Sequence, residues 1–187
     1  MMSVIFICGI HGAGKTTFGR KLSERIGLPH FSSSDLIRKK TPAALPTATG
    51  EKRVSNSDQN QATLIEAVNE IHEKCPVIIL DGHATILDPG GVPVPIDKQI
   101  FQSLDVCALI FLDVAVKKIA EQLERRDGKH PALELLSRHR KAERAHAQTV
   151  AESLRCLFRA IDGSEESLNK VVKDLTQNLG GVCPSQL

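Results

Sequence analysis

The stretch Gly9-Ile10-His11-Gly12-Ala13-Gly14-Lys15-Thr16-Thr17 limits what this chain can fold into more than any other segment. It satisfies G-x-x-x-x-G-K-[ST] at every fixed position. The apolar run Val4 to Cys8 leads into it, and helical spacing from Lys15 to Ile26 follows. Strand, glycine-rich turn and helix in that order set a phosphate-binding loop apart from a chance match. Glycines let the backbone approach a phosphate with no Cβ in the way, and the N–H groups opening a helix favour an anion. The motif therefore assigns phosphate contacts to Gly12, Ala13, Gly14, Lys15, Thr16 and Thr17. In such a loop the Lys15 ammonium spans β- and γ-phosphates, and the Thr16 hydroxyl ligates Mg²⁺.

The chain continues the alternation. Apolar runs at Ser3–Cys8, Leu28–Phe31, Val77–Leu80, Cys107–Leu112 and Leu154–Ile161 read as strands. Val77–Leu80 and Ala108–Leu112 are apolar almost throughout, as strands buried on both faces of a parallel sheet are. Arg155 and Arg159 interrupt the last run, and the preceding helix can extend into it. Helical spacing predicts Lys15–Ile26, Gln59–His72 with Ser57 as N-cap, Val114–Arg126, Pro131–Ser153, and Ser164–Leu179 with Ser164 or Ser167 as N-cap. Within Pro131–Ser153 the apolar positions are sparse: Leu133, Leu136, Ala145 and Val150. The expected fold class is α/β, a P-loop NTPase three-layer α/β/α arrangement with a five-stranded parallel sheet, in a single domain over residues 1–187. The tail Val182–Leu187 is expected to be loose.

Composition excludes several alternatives. A chain of 187 residues suits one domain with a sizeable core, and 41% apolar with 25% charged residues is ordinary for a soluble protein. A net charge of +2 is too small to indicate a nucleic-acid or membrane surface, and no apolar stretch approaches the ~20 residues that span a bilayer. The cysteines Cys8, Cys75, Cys107, Cys156 and Cys183 are odd in number and lack C-x-x-C spacing, which suggests neither a disulfide framework nor a zinc site. Cys8, Cys75 and Cys107 read as small buried hydrophobes, and the usage fits a reducing, cytoplasmic setting. His139 and His146 lie two turns apart on one helix without a third ligand at suitable spacing.

Ligands of open α/β sheets sit outside the carboxyl ends of the strands, so the residues after each strand carry the chemistry. Asp81 ends a buried strand beside the phosphate loop, the Walker B position for holding Mg²⁺ directly or through water. Ser34-Asp35-Leu36-Ile37-Arg38 opens a short helix with Ser34 or Asp35 as cap, and Arg38 has the planar fork that grips a phosphate. Arg125, Arg126, Arg138, Arg140 and Arg144 flank Asp127–His130 on two helical arms, as in a lid that excludes water and neutralises charge. Arg138 with Lys141, or Arg140 with Arg144, share a face by helical spacing. Thr41–Asp58 and the proline- and glycine-rich Asp88–Pro95 read as binding loops. His11 and His83 each stand where they touch a ligand or merely fill a loop. No general base stands out, which suits transfer to an acceptor oxygen that is already ionised.

Taken together these residues resemble the nucleoside monophosphate kinase branch of P-loop proteins, and most closely the archaeal-type adenylate kinase family, from about Val4 to Glu166. Asp81-Gly82-His83-Ala84 through Pro89-Gly90-Gly91-Val92-Pro93-Val94-Pro95 resembles that family's Asp-Thr-His segment and the loop after it. His139-Arg140-Lys141-Ala142-Glu143-Arg144 is similar to its His-Gln-x-x-Asn-Arg helix. Ser34-Asp35-Leu36-Ile37-Arg38 resembles the Gly-Asp-x-x-Arg element that binds AMP, and Ile161-Asp162-Gly163 the segment that approaches the adenine of ATP. The chain departs from the pattern at Gly82, where the family has threonine, and at Ser34, where it has glycine; its lid between Arg126 and Arg138 is short.

The resemblance implies ATP and Mg²⁺ as cofactors and reversible transfer of the γ-phosphate. It implies an acceptor-binding insertion at about 32–75 and a lid at about 125–144. Ser34, Asp35, Arg38 and His83 would bind the acceptor; Asp162 and Gly163 would meet ATP; Thr16 and Asp81 would hold the metal. Lys15, Arg125, Arg138 and Arg144 would stabilise the transferred group. AMP is the expected acceptor. A kinase of another small molecule, or an ATPase switch acting on a protein partner, are the alternatives on the same fold. Small-molecule nucleotides are the expected partners, with no nucleic acid or membrane, in a monomer or small homo-oligomer.

Overall fold

The computed structural model describes residues 2–41, 52–128 and 130–178. Five strands form one sheet in the order β2-β3-β1-β6-β7: β1 (Ser3–Cys8), β2 (His30–Ser32), β3 (Val77–Asp81), β6 (Val106–Leu112) and β7 (Leu157–Ile161). Every pairing within it is parallel, and β1 at the centre aligns Ile7 with Asp81 of β3 and with Ile110 of β6. The expected α/β/α layering follows from strand alternation. Val4, Phe6 and Cys8 of β1 face one core with α3 (Lys52–His72), α4 (Lys98–Ser103) and α6 (Leu133–Leu154). Ile5 and Ile7 face the other, with α1 (Lys15–Ile26), α5 (Val116–Asp127) and α7 (Glu165–Asn178). Both faces of the sheet are dry, which is why its central strands read as unbroken apolar runs.

Ser3–Cys8 and Lys15–Ile26 lie where the sequence predicts them, and other boundaries shift. The second strand starts at His30 rather than Leu28, and the last begins at Leu157 because α6 runs on to Leu154. Ser57 lies inside α3 rather than before it, and the helix also takes up the end of Thr41–Asp58; residues 42–51 of that segment lie outside the described residues. Ser164 does cap α7, accepting from the Ser167 N–H at 3.2 Å, so Ser167 sits within the helix. Neither Ser34 nor Asp35 caps α2 (Ser33–Lys40): the N-cap is Ser32. The loop expected at Asp88–Pro95 is the tip and return arm of a hairpin, β4 (Thr85–Leu87) paired antiparallel with β5 (Pro93–Pro95). Cys75 and Cys107 are half-buried rather than buried, while Cys8 is buried as expected. The tail Val182–Leu187 and Cys183 lie outside the described residues.

The α6 stripe is the largest correction. The sequence names Leu133, Leu136, Ala145 and Val150 as the sparse apolar positions of this helix, yet Leu133 and Ala145 are exposed. The buried face runs through Leu136, His139, Glu143, Ala147 and Val150. Two of those positions are polar, so hydropathy alone reads the wrong phase.

Candidate active site

The carboxyl ends of the strands open onto a cavity of ≈ 750 Å³. One wall is the phosphate loop: Gly12, Gly14, Lys15, Thr16 and Thr17 line it. Gly14 is the N-cap of α1 in the left-handed region at φ 87°, and no side chain caps the helix there. That end of α1 therefore keeps its positive pole turned to the cavity, which suits an anion. Gly12, at φ 84°, is needed for space as well: a Cβ would lie 2.9 Å from Leu123 Cγ. Lys15 Nζ donates to the carbonyls of Gly9 at 2.8 Å and Ile10 at 3.3 Å, and lies 3.4 Å from His83 Nε2. Burial pushes the Lys15 ammonium below its usual pKa, against the pull of the Glu143 and Asp81 carboxylates. Burial, aided by the Lys15 charge, holds His83 well below the usual histidine range, so its ring is neutral near pH 7.

Asp81 lines the cavity at only 4% exposure, with Oδ2 2.8 Å from His30 Nε2. A Cβ at Gly19 would lie 2.4 Å from that ring nitrogen, so Gly19 in α1 makes the room His30 occupies. Thr16 lines the same cavity. Among the described residues no group of three or more His, Cys, Asp or Glu gathers as a metal cage. One hydroxyl and one carboxylate fit Mg²⁺, which takes few protein ligands and fills its shell with phosphate oxygens and water; they do not fit zinc.

The opposite wall comes from α2, α3, α4 and the hairpin. It presents Phe6, Ile37, Leu64, Ile86, Ile100 and Phe101, with the polar atoms of Ser33, Ser34, Asn60 and Gln61. Gly82 keeps this wall closed against the sheet: a Cβ there would lie 2.8 Å from both Phe6 Cζ and Ser33 Oγ. Ser33 Oγ is buried with no hydrogen-bond partner among the described residues.

The structure brings together some sequence-predicted site residues and leaves others apart. Lys15, Thr16, Thr17, Gly12, Gly14, Asp81, His83 and Ser34 line the cavity, and Ala13 is buried beneath it. Asp35 and Arg38 pair with each other at 2.8 Å outside it, the Arg38 side chain 77% exposed. Arg125 pairs with Glu121 along α5. Arg138 donates to the Gly91 carbonyl at the hairpin tip at 2.9 Å. Arg140 and Arg144 share a face, as their spacing predicts, and both hold Asp113, at 2.6 and 2.7 Å. Of the arginines expected to form a lid, Arg126 lines the cavity, where it meets His11. Asp162 precedes α7 and accepts from Ser164 N at 3.0 Å and Ser167 Oγ at 2.6 Å, which holds its carboxyl below the usual range; Gly163 beside it has φ 76°.

Three residues of the site were not found from the sequence. His30, Gly19 and Glu143 each act through a partner remote in sequence. Glu143 is 0% exposed and bonded to the Gly9 and Ala84 amides. A usable signal exists for Glu143 and His139: they continue the helical stripe of Leu136, Ala147 and Val150.

The family model described as "AAA domain" matches residues 8–135. The chain belongs to this family. An adenylate kinase from Thermococcus onnurineus is 26% identical over 96% of the chain and 96% of its own length. A shikimate kinase from Buchnera aphidicola is 27% identical over 70% of the chain and 68% of its length. The sheet and its helices match the solved structure of a shikimate kinase from Acinetobacter baumannii in complex with shikimate, with a TM-score of 0.57, 17% identity, and coverage of 96% and 93%. The P-loop fold read from the motif is thus shared with solved kinases, and the likeness to archaeal adenylate kinases extends over almost the whole chain.

Proposed function

We propose that this chain is a nucleoside monophosphate kinase that transfers the γ-phosphate of ATP to AMP. The observation that carries the acceptor class is the cavity's single carboxylate: among the described lining residues only Asp81 bears one, and His30 already holds it. Asp35, the carboxylate on α2, pairs with Arg38 outside the cavity and supplies no base to an alcohol acceptor. An acceptor that needs no deprotonation, a phosphate monoester, suits such a site. The apolar wall of Phe6, Ile37, Leu64 and Ile100 offers a surface for a nucleobase, and Ser33 Oγ and Asn60 offer polar contacts at its edge.

The phosphate loop would hold the ATP phosphates on backbone N–H groups and Lys15, while Arg126 stands over the loop beside His11. Mg²⁺, held by Thr16 and Asp81 when bound, would neutralise charge on the phosphate oxygens. Arg38, Arg125, Arg138 and Arg144 would have to turn inward on closure, as lid and acceptor arginines do. The reading carries with it a cytoplasmic enzyme acting on small nucleotides, without nucleic acid or membrane, as a monomer or small homo-oligomer. No helix among the described residues is long and apolar enough to cross a membrane.

The shikimate kinase relative and fold neighbour favour a second reading, a kinase of a small alcohol. Mg²⁺-ATP consumption against a panel of nucleoside monophosphates and small alcohols, with a no-acceptor blank, separates the two. A rate that appears with AMP and yields two ADP is expected. A rate only with an alcohol would replace the proposal with the second reading.

A further inference from the structure

Glu143 is an acidic side chain at 0% exposure on the buried face of α6, which it shares with Leu136, His139, Ala147 and Val150. Burying a carboxylate is costly unless every oxygen is bonded, so its surroundings must account for it. They do. Oε1 accepts from the Gly9 N–H at 3.2 Å and the Ala84 N–H at 2.8 Å, and Oε2 accepts from the N–H and the hydroxyl of Thr85. His83 Nδ1 lies 3.8 Å from Oε1. Its direct partners are thus main-chain amides and a hydroxyl rather than a cation.

The positions of those donors matter more than their number. Gly9 is the first residue of the phosphate loop, directly after β1. Ala84 and Thr85 follow Asp81 and His83 at the end of β3. The two strands are neighbours, with Ile7 beside Asp81. Past that point the sheet's own hydrogen bonds stop after Gly82 N–H to Ile7 O at 2.9 Å, and the chains diverge around the cavity. Glu143 bonds both diverging segments from a third element, α6. The same helix is fixed to the end of β6 by Arg140 and Arg144 on Asp113.

We infer that Glu143 is a positioning residue: its carboxylate fixes the separation between the phosphate loop, which carries Lys15 and Thr16, and the turn that carries Asp81 and His83. It touches no reacting atom. It acts through Gly9, Ala84 and Thr85, and this rests on the reading of the cavity as a phosphoryl-transfer site. Positioned transfer is sensitive to small displacements, about 100-fold in rate for 1 Å. Glutamine at this position has nearly the same shape, but its amide NH₂ would face N–H donors on one side.

The test uses the full chain as Glu143→Gln, with kcat and KM for Mg²⁺-ATP and AMP and hydrogen exchange at single amides. The expected result is a kcat lowered about 100-fold, with both KM values within about threefold of wild type. The Gly9 and Ala84 amides should exchange at least about tenfold faster, with Ile5 and Ile79 in the sheet unchanged. A merely structural role would instead speed exchange throughout the sheet and leave kcat per folded molecule alone. A folded Glu143→Gln protein with wild-type kcat overturns the inference. Should that variant not fold, Thr85→Val decides, because it removes one hydroxyl donor and leaves the three amides. A severalfold lower kcat at unchanged KM supports the role, and wild-type kcat overturns it. Should the wild type turn over no acceptor, the kinase reading fails, and amide exchange at Gly9 and Ala84 together with ATP affinity decides the role of Glu143: faster exchange with weaker ATP binding supports it, and wild-type values of both overturn it.

Discussion

At the phosphate-loop end of the cavity Lys15, Asp81 and Glu143 already have partners within the protein, whereas the opposite end keeps an orphan hydroxyl and holds Arg38 outside. Lys15 rests on the Gly9 and Ile10 carbonyls, Asp81 on His30, and Glu143 on two strand ends. Across the cavity, Ser33 Oγ has no partner, and Arg38 is spent on Asp35 in solvent. The difference separates two kinds of binding. A nucleotide's phosphates meet a backbone cradle that exists before they arrive, so little need move. On the proposed reading, the acceptor would meet an apolar wall and a helix, α2, whose Arg38 would have to reorient to complete the site.

The sharpest way to break this comparison is at Lys15. If the loop end is preformed, Lys15→Ala removes a charge aimed at the transferred group without disturbing the fold. We expect kcat/KM to fall by about 10³-fold or more, while the melting temperature stays within a few degrees of wild type. A loss of less than about tenfold would mean that the loop binds nucleotide without taking part in transfer.

Gly82 lies on the boundary between the two ends. Gly82→Thr restores the residue found in the resembled family, yet here its Cβ would meet Phe6 Cζ and Ser33 Oγ at 2.8 Å. Ser33 Oγ has no hydrogen bond to lose and can rotate away, but Phe6 is 2% exposed and packed edge-on against Phe101, ring centroids 5.3 Å apart. Overpacking of this kind costs about 1–3 kcal/mol, to be read from chemical denaturation. Combining it with Phe6→Leu should recover at least half of that loss, because the pair competes for one space. Full stability in the single variant would show that the acceptor wall is softer than its packing suggests.

How far the sequence reaches follows the same division. The phosphate loop is contiguous, so its strand, glycines, lysine and helix were all legible, and β1 and α1 were placed to the residue. Asp81 was legible because an acid after a buried apolar run is a local signal. What was missed depends on contact between distant segments or on elements too short for periodicity. Helix α4 has six residues, and each hairpin strand three, fewer than two turns or two alternations. His30 and Gly19 form one feature only after β2 and α1 pack together, since the glycine is the space for the ring. Glu143 and His139 sit at core positions of α6, where a hydropathy reading expects apolar residues. The arginines were found by number, but number does not say whether Asp113, Gly91 or a phosphate receives them.

Arg38 tests whether the acceptor end completes itself. In the open arrangement its pairing with Asp35 is an exposed contact of little consequence for stability. Arg38→Ala should therefore leave the melting temperature unchanged while raising the KM for AMP about tenfold, equivalent to one charge-assisted contact of about 1.4 kcal/mol. The KM for ATP should not move. An unchanged KM for AMP would place the acceptor phosphate elsewhere and transfer its recognition to Arg126 at the loop end.

Ser33 sharpens the comparison at the smallest scale, because the two ends predict opposite signs for removing a buried hydroxyl. At the loop end, deleting a bonded polar group leaves a partner unsatisfied and costs stability. Ser33 Oγ has no partner to strand, so Ser33→Ala should leave the free protein as stable as before or raise stability by up to about 1 kcal/mol. If the hydroxyl waits for the acceptor, the same variant should raise the KM for AMP about two- to fivefold with the KM for ATP unchanged, the size of one neutral hydrogen bond. Stability and affinity then move in opposite directions at one atom, which is the signature of a polar group kept for a ligand. A loss of stability without any change in KM would instead mean that Ser33 serves the fold, and the acceptor end would lose its nearest buried donor.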